Sequence, residues 1–303
     1  MFDILVAGEI NPDLILSGNV LPEFGQVEKL MDGAALTIGS SSAIFACGAA
    51  RLGLLVAFMG VCGDDVFGRY MLDEMQKRNV DISNVIVRPD GRTGLSVIFT
   101  QGTDRAILTY PGLIAALGAD DVSDGLLRQA RHLHVASYFL QANLQPGLPG
   151  LFSRAHSLGL TTSLDTNWDP ASEWRGFDEL LSGVDVFLPN QNEALGIAHT
   201  TEPVVALTIL ASKARLVAMK RGAHGASLQT ANTIVSVPSI PVEPVDSVGA
   251  GDSFDAGFLY GYLMDWEPER SLRMGSICGA LSTQRAGGTD GQPTLPEAIK
   301  YLE

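Results

Sequence analysis

Short apolar runs of strand length recur along the chain, separated by stretches with helical spacing. Residues 2–8 form such a run and end on Gly8, as a buried strand does. Residues 41–52 are rich in alanine and stop at Gly53, which predicts a helix. The run at 55–61 and the more polar helical stretch at 66–78 repeat the alternation. Further strand-length runs fall at 132–136, 160–164, 184–188 and 216–220, with helices predicted at 173–181 and 204–214. This succession predicts an α/β fold: a doubly wound, mostly parallel sheet with helices on both faces, joined by right-handed crossovers.

Two regions break the pattern. Residues 13–38 and 93–110 show short alternating runs with turn residues between them, as where Leu95, Val97 and Phe99 alternate with Ser96, Ile98 and Thr100. They predict antiparallel strands outside the main sheet, meeting as a small β lid on a single domain of residues 1–303. Residues 227–237 read as a hairpin about Thr230-Ala231-Asn232, and the chain then turns helical at 251–263 and 268–284.

Composition narrows the function. The 303 residues are 46% hydrophobic and 18% charged, as in an ordinary globular protein, with a net charge of −14. That charge argues against nucleic acid or a membrane surface as partner, since both favour basic patches. The uncharged stretch 33–50 is interrupted by Gly39 and three serines, so strand, turn and buried helix explain it better than a membrane span. No basic leader precedes the first strand, and Cys47, Cys62 and Cys278 lack metal spacing. A cytoplasmic protein with buried thiols is expected.

The most informative stretch is Asp246-Ser247-Val248-Gly249-Ala250-Gly251-Asp252-Ser253-Phe254-Asp255-Ala256-Gly257-Phe258. A turn of small residues opens directly into an apolar helix. Successive N–H groups and the helix dipole can then converge on an anion, at Gly249, Ala250 and Gly251. Asp252 falls in the first helical turn, where the dipole favours the ionised carboxylate and hence a proton acceptor. A carboxylate base beside an anion hole suits phosphoryl transfer to an alcohol. Taken alone, a Gly-x-Gly-Asp turn reads more readily as a capped helix.

The stretch resembles the signature of the ribokinase-like, PfkB family of carbohydrate kinases, Asp-Thr-x-Gly-Ala-Gly-Asp-x-Phe-x-Ala-Gly-Phe, and departs from it only at Ser247. The resemblance implies ATP-dependent transfer to a hydroxyl of a small sugar-like substrate, with Asp252 as base. It further implies that Asn190 and Glu193, in Asn190-Gln191-Asn192-Glu193, organise Mg²⁺ near the phosphates, Glu193 acting through water. The element is also an ordinary helix start. The strand and glycine turn holding Lys220, Gly222 and Gly225 resemble the floor beneath the nucleotide. Asp246, Val248, Ser282 and Gly287 correspond to a site for a monovalent cation such as K⁺. Asn11 and Asp13, in Gly8-Glu9-Ile10-Asn11-Pro12-Asp13, match the family's sugar-binding opening.

Other acceptor elements depart from the pattern. Where the family has Gly-Gly-x-x-x-Asn, this chain has Gly39-Ser40-Ser41-Ser42-Ala43-Ile44. Asp165 and Asn167 are retained, yet Asp169 stands where relatives often have Arg, which shifts weight toward an uncharged acceptor. Arg105 is the cation expected to reach the pocket from the lid, and Tyr138 could wall it. A nucleoside kinase of the same fold is the alternative, with Phe24 and Tyr110 as an apolar slot for a base. A non-catalytic sensor of sugars or nucleotides is a further reading. An NAD-dependent oxidoreductase is disfavoured, because only one glycine follows the first strand before Asp13. Pairing of two lids in a homodimer is expected from several relatives.

Overall fold

The computed structural model describes residues 1–101 and 104–302. Among them, a nine-stranded sheet forms the centre. In spatial order its strands are Ile234–Val237, Ala226–Thr230, Leu216–Lys220, Val186–Phe187, Thr161–Leu164, Ala130–Val135, Phe2–Ala7, Val56–Met59 and Val80–Asp81. All pairings are parallel except those of the C-terminal hairpin at one edge. Alternate residues of the first strand serve two cores. Ile4 and Val6 pack with helices Ser41–Arg51, Ala250–Leu263 and Pro268–Ser282 on one face. Leu5 and Ala7 pack with Leu148–Ser157 and Pro203–Ala211 on the other. Burial on both faces explains the uninterrupted apolar runs.

A separate sheet of four strands runs Gly33–Ile38, Pro12–Ser17, Leu95–Gln101, Asp104–Tyr110. The two outer pairs are antiparallel, as predicted. The seam between them, Pro12–Ser17 against Leu95–Gln101, is parallel. Residues 102–103 of the expected lid segment 93–110 lie outside the described residues.

Two expectations need correction. The run at 55–61 divides at Gly60: Val56–Met59 joins the main sheet, while Val61–Gly63 pairs with Ile86–Arg88 in a sheet of its own. The helix expected over 173–181 shrinks to Phe177–Leu180. Its first half is a loop because Asp169 accepts hydrogen bonds from the backbone N–H groups of Ala171, Glu173 and Trp174, at 2.9, 2.7 and 2.7 Å. A carboxylate gathering three donors offers the backbone an alternative to helix. Among the described residues no helix is long and apolar enough to cross a membrane, and all three cysteines are buried and free.

Candidate active site

After the first strand the chain builds outward to one edge of the sheet, and then returns to add strands on the other side. The crevice beyond the carboxyl ends of Phe2–Ala7 and Ala130–Val135 is therefore a topological switch point, where ligands of such sheets bind. A cleft of about 560 Å³ lies there, between the main sheet and the small one. A second cavity of about 580 Å³, floored by Ile240, Pro241, Val242, Phe254 and Ala280, adjoins it. The two share Lys220, Gly222, Ser247 and Gly251.

The shared wall is the turn of residues 246–252. Gly249 is the N-cap of the helix Ala250–Leu263, in the left-handed region at φ 71, and no side chain caps that helix. The Ala250 N–H reaches the Ser247 carbonyl only at 3.4 Å, and the first N–H groups are otherwise open to a ligand. A side chain at Gly249 would strike Gly288 at 2.8 Å and Ile44 at 2.9 Å. At Gly251 the nearest protein atom would be Lys220 Nζ at 3.5 Å, an ordinary contact, so the protein itself leaves room there. Asp246 ties the turn to the following loop: its two oxygens accept from the N–H groups of Val248 at 3.0 Å and Gly287 at 2.9 Å. Ser282 belongs to the adjoining helix end, and its hydroxyl donates to the Gly279 carbonyl.

Asp252 is buried in this wall. Burial, followed by the neighbouring Asp165, pushes its carboxyl up to about 8, against the pull of Lys220 and a hydrogen bond from the Ser41 hydroxyl. The helix N-terminus alone predicts an ionised group. The buried acidic surroundings outweigh it, so the expectation of full ionisation at neutral pH is corrected. Carboxylate oxygens of Asp165, Asp252 and Asp255 lie within 4.8 Å of one another.

Lys220 answers part of that charge. Its ammonium sits 3.1 Å from Asp165 and 3.1 Å from both oxygens of Asp255. Burial alone would lower its pKa, yet Asp165 and Asp255 hold it above the ordinary lysine range. At 9% exposure it still lines both cavities. Asp255, one helical turn after Asp252, was not singled out in the sequence. It falls at a variable position of the signature, and only its i, i+3 spacing from Asp252 hinted at a shared face.

On the lid side the cleft is lined by Asn11, Asp13, Ser96, Ile98, Arg105 and Ile107. Asn11 Nδ2 donates to Asp13 Oδ1 at 3.4 Å and to Ser96 Oγ at 3.3 Å. Burial pushes Asp13 up to about 7, opposed by Arg105. Gly39 stands behind: a Cβ there would lie 2.2 Å from Asp13 Oδ1. The serine run has distinct partners. Ser40 caps its helix, accepting from Ala43 N–H at 3.0 Å. Ser42 donates to Glu9 at 2.6 Å. Ser41 accepts from Asn167 Nδ2 at 2.6 Å and donates to Asp252. Asn167 also donates to Ser137 Oγ at 2.8 Å, and Ser137 donates to Glu9 Oε1 at 2.8 Å. A chain of hydrogen bonds thus runs from Glu9 to Asp252. Ser40, Ser137 and Asn167 hold positive φ along it (64, 53 and 55), and such backbone gathers at functional sites.

Ile44 lines the cleft and packs against Gly249 and Gly288. Several expected residues lie elsewhere. Asp169 serves its own loop rather than the cleft. Tyr138 packs among Phe139 and Phe177. Phe24 is 98% exposed and outside the cleft, and Tyr110 pairs with Leu95 on the lid face turned away from it. Both follow from local sequence appearing apolar where only tertiary placement assigns a face. Gly222 and Gly225 shape the second cavity, Gly225 at φ 82 with no space for a side chain against Val237 and Pro238. Asn190 and Glu193 form a reciprocal capping box at the cleft wall. Burial, with Asp165, raises Glu193 to about 7.

The profile of the pfkB family carbohydrate kinases matches residues 1–295. An ATP-dependent ribose-1-phosphate kinase of Halopiger xanaduensis is 28% identical over 304 residues, covering 100% of this chain and 98% of its own. A ribokinase of Haemophilus influenzae is 26% identical, covering 99% and 98%. A protein from E. coli assigned as a Ribokinase II, solved with ATP and Mg²⁺, superposes with a TM-score of 0.87 at 25% identity, covering 100% and 99%.

Proposed function

The chain belongs to the PfkB family of carbohydrate kinases, and from that premise we propose that it transfers the γ-phosphoryl group of ATP to an uncharged, sugar-like alcohol, with Asp252 as the base. The observation behind this reading is the meeting of two cavities at one uncapped helix N-terminus, with a buried carboxylate on the wall between them. The apolar cavity suits adenine, and the polar cleft under the small sheet suits the acceptor. Residues 1–303 would act as one kinase domain with the small sheet as its lid.

The donor chemistry fits Mg²⁺. The buried carboxylates Asp165, Glu193, Asp252 and Asp255 outnumber Lys220, and hard oxygen donors suit that ion. Glu193 and Asn190 would hold it, through its water, and bound there it would neutralise charge on the phosphates. Asp246 keeps a lone pair on each oxygen after binding Val248 and Gly287, so it suits K⁺ in type. Glu9, Asp13, Asp165, Glu193 and Asp252 line the cleft against Arg105 and Lys220, which disfavours an anionic acceptor.

In the transfer step Asp252 takes the proton of the acceptor hydroxyl. That oxygen bonds to the γ-phosphorus, and the bond from phosphorus to the β–γ bridging oxygen breaks in line, leaving ADP. The N–H groups at Gly249, Ala250 and Gly251 stabilise charge on the transferring oxygens. Asn11 and Asp13 orient the acceptor, helped by Asp165 and Asn167. Lid closure excludes water and with it ATP hydrolysis. A base with a pKa near working pH is efficient once ionised.

The lid also supports dimerisation. By register, Leu14, Leu36, Val97, Leu108 and Tyr110 share the face turned away from the cleft. A second copy would cover that apolar face. Three free buried thiols and the use of ATP support a cytoplasmic location. Asp252→Asn tests the mechanism: transfer should fall about 100- to 10,000-fold while ATP still binds. Near-normal turnover would overturn the assignment of the base.

A further inference from the structure

Glu9 lies just beyond the strand Phe2–Ala7, lines the cleft and is only 2% exposed. Its carboxylate is seated at the N-terminus of the helix Ser41–Arg51, where the dipole favours negative charge. One oxygen accepts from the Ser42 hydroxyl at 2.6 Å. The other accepts from the Ser42 N–H at 3.3 Å and the Ser137 hydroxyl at 2.8 Å. The Ser40 hydroxyl donates to the Glu9 carbonyl at 2.7 Å. Gly8 permits this close approach, since a Cβ there would stand 2.0 Å from Ser42 Oγ.

Asn167 fixes the direction of the chain that leaves Glu9. Its Nδ2 carries two hydrogens. One goes to Ser41 Oγ at 2.6 Å and the other to Ser137 Oγ at 2.8 Å. Each serine accepts from the amide and gives its own proton outward, Ser137 to Glu9 and Ser41 to Asp252. Ser137 and Asn167 hold positive φ, at 53 and 55, and such backbone persists only where surrounding contacts over-determine it. Resting on the reading of Asp252 as the base, we propose that Glu9 is a positioning residue: anchored at the helix N-terminus, it fixes Ser137 and Asn167 and through them aims the Ser41 hydroxyl at Asp252. Asp252 then keeps one orientation toward the acceptor hydroxyl.

The charge of Glu9 and the chain it anchors act on Asp252 with opposite sign. Asp165 and the Glu9 charge raise the Asp252 pKa, whereas Lys220 and the Ser41 hydrogen bond lower it; Asp255 completes the acidic cluster. Loss of the charge alone moves the acid limb of kcat/KM to lower pH, and loss of the chain moves it to higher pH. The test measures ADP release from ATP with whichever of ribose, fructose and adenosine reacts fastest, in wild type, Ser137→Ala, Glu9→Ala, Glu9→Gln and Asp252→Asn. Ser137→Ala keeps the charge and cuts the chain. Its kcat should fall about 10- to 100-fold, as for a misplaced reacting group, with the limb at higher pH and KM for ATP unchanged. Glu9→Ala should lose as much kcat. Glu9→Gln keeps an acceptor for Ser137, and should recover most of the kcat with the limb at lower pH. If Ser137→Ala does not fold, Glu9→Gln against Glu9→Ala carries the same comparison. Wild-type kcat and an unmoved limb in Ser137→Ala, or Glu9→Ala as active as Glu9→Gln, overturns the positioning role, and an inactive Asp252→Asn then leaves the base standing. Near-normal turnover in Asp252→Asn, or no turnover of any acceptor by wild type, overturns both.

Discussion

Lys220→Met separates two roles for one lysine. The ammonium lines the cavity proposed for the nucleotide, yet it is held 3.1 Å from both Asp165 and Asp255, which are themselves almost fully buried. Removing one partner of a buried ion pair costs about 3–5 kcal/mol, because an uncompensated charge remains. Folded domains hold only about 5–15 kcal/mol in total. At about 2–4 °C per kcal/mol for a chain of somewhat smaller size, the thermal midpoint should fall by roughly 6–20 °C. The double variant Lys220→Met/Asp255→Leu should recover part of the loss, since apolar replacement of a whole buried pair is often neutral. Lys220 also lowers the Asp252 pKa. Any active Lys220→Met protein should therefore show the acid limb of its kcat/KM profile at higher pH. Thermal melts of the ligand-free variants, with KM for ATP, decide the matter. A midpoint within about 1 °C of wild type, with only KM for ATP raised, would refute the clamp and make Lys220 a nucleotide contact.

Other expectations follow from the same geometry. As the proposed base, Asp252 would act only when ionised, so kcat/KM should rise with pH and level off above about 8, and Asp252→Asn should abolish the limb. Asp13 and Asp252, raised to about 7 and about 8, favour the fold in their protonated forms. Their contribution is complete below the unfolded value of about 4 and is lost as pH rises through 7 to 8. The ligand-free melting temperature should drop from pH 6 to pH 9, less so in Asp252→Asn. Ser41→Ala removes a hydrogen bond that lowers the Asp252 pKa. It should cut kcat several-fold at pH 7 and shift the profile upward, with KM for ATP unchanged; an unshifted profile would confine Ser41 to a structural role. Leu108→Glu places charge on the outer lid face, and light scattering should show monomer where wild type is dimeric. A monomeric wild type would remove the dimer.

The sequence by itself determined the parts that local chemistry decides. Apolar runs placed the strands of a doubly covered sheet, and residues 246–258 carry turn, helix N-terminus and Asp252 in one contiguous stretch. No distant residue is needed to make that turn, so its chemistry was legible. The acceptor half draws on separate segments around Glu9, Ser41, Ser96, Ser137 and Asn167, and only the crossing of the sheet at its switch point brings them together. Ser40, which read as a departure, became a helix cap, and its neighbours Ser41 and Ser42 became a link to Asp252 and a partner of Glu9. Asp169 read as a missing cation and became the clamp of a loop, because three N–H donors outcompete a helix there. The protonation of Asp252 was likewise a tertiary matter. A helix N-terminus favours the charge from one side, but burial beside Asp165 acts from all others and decides the balance.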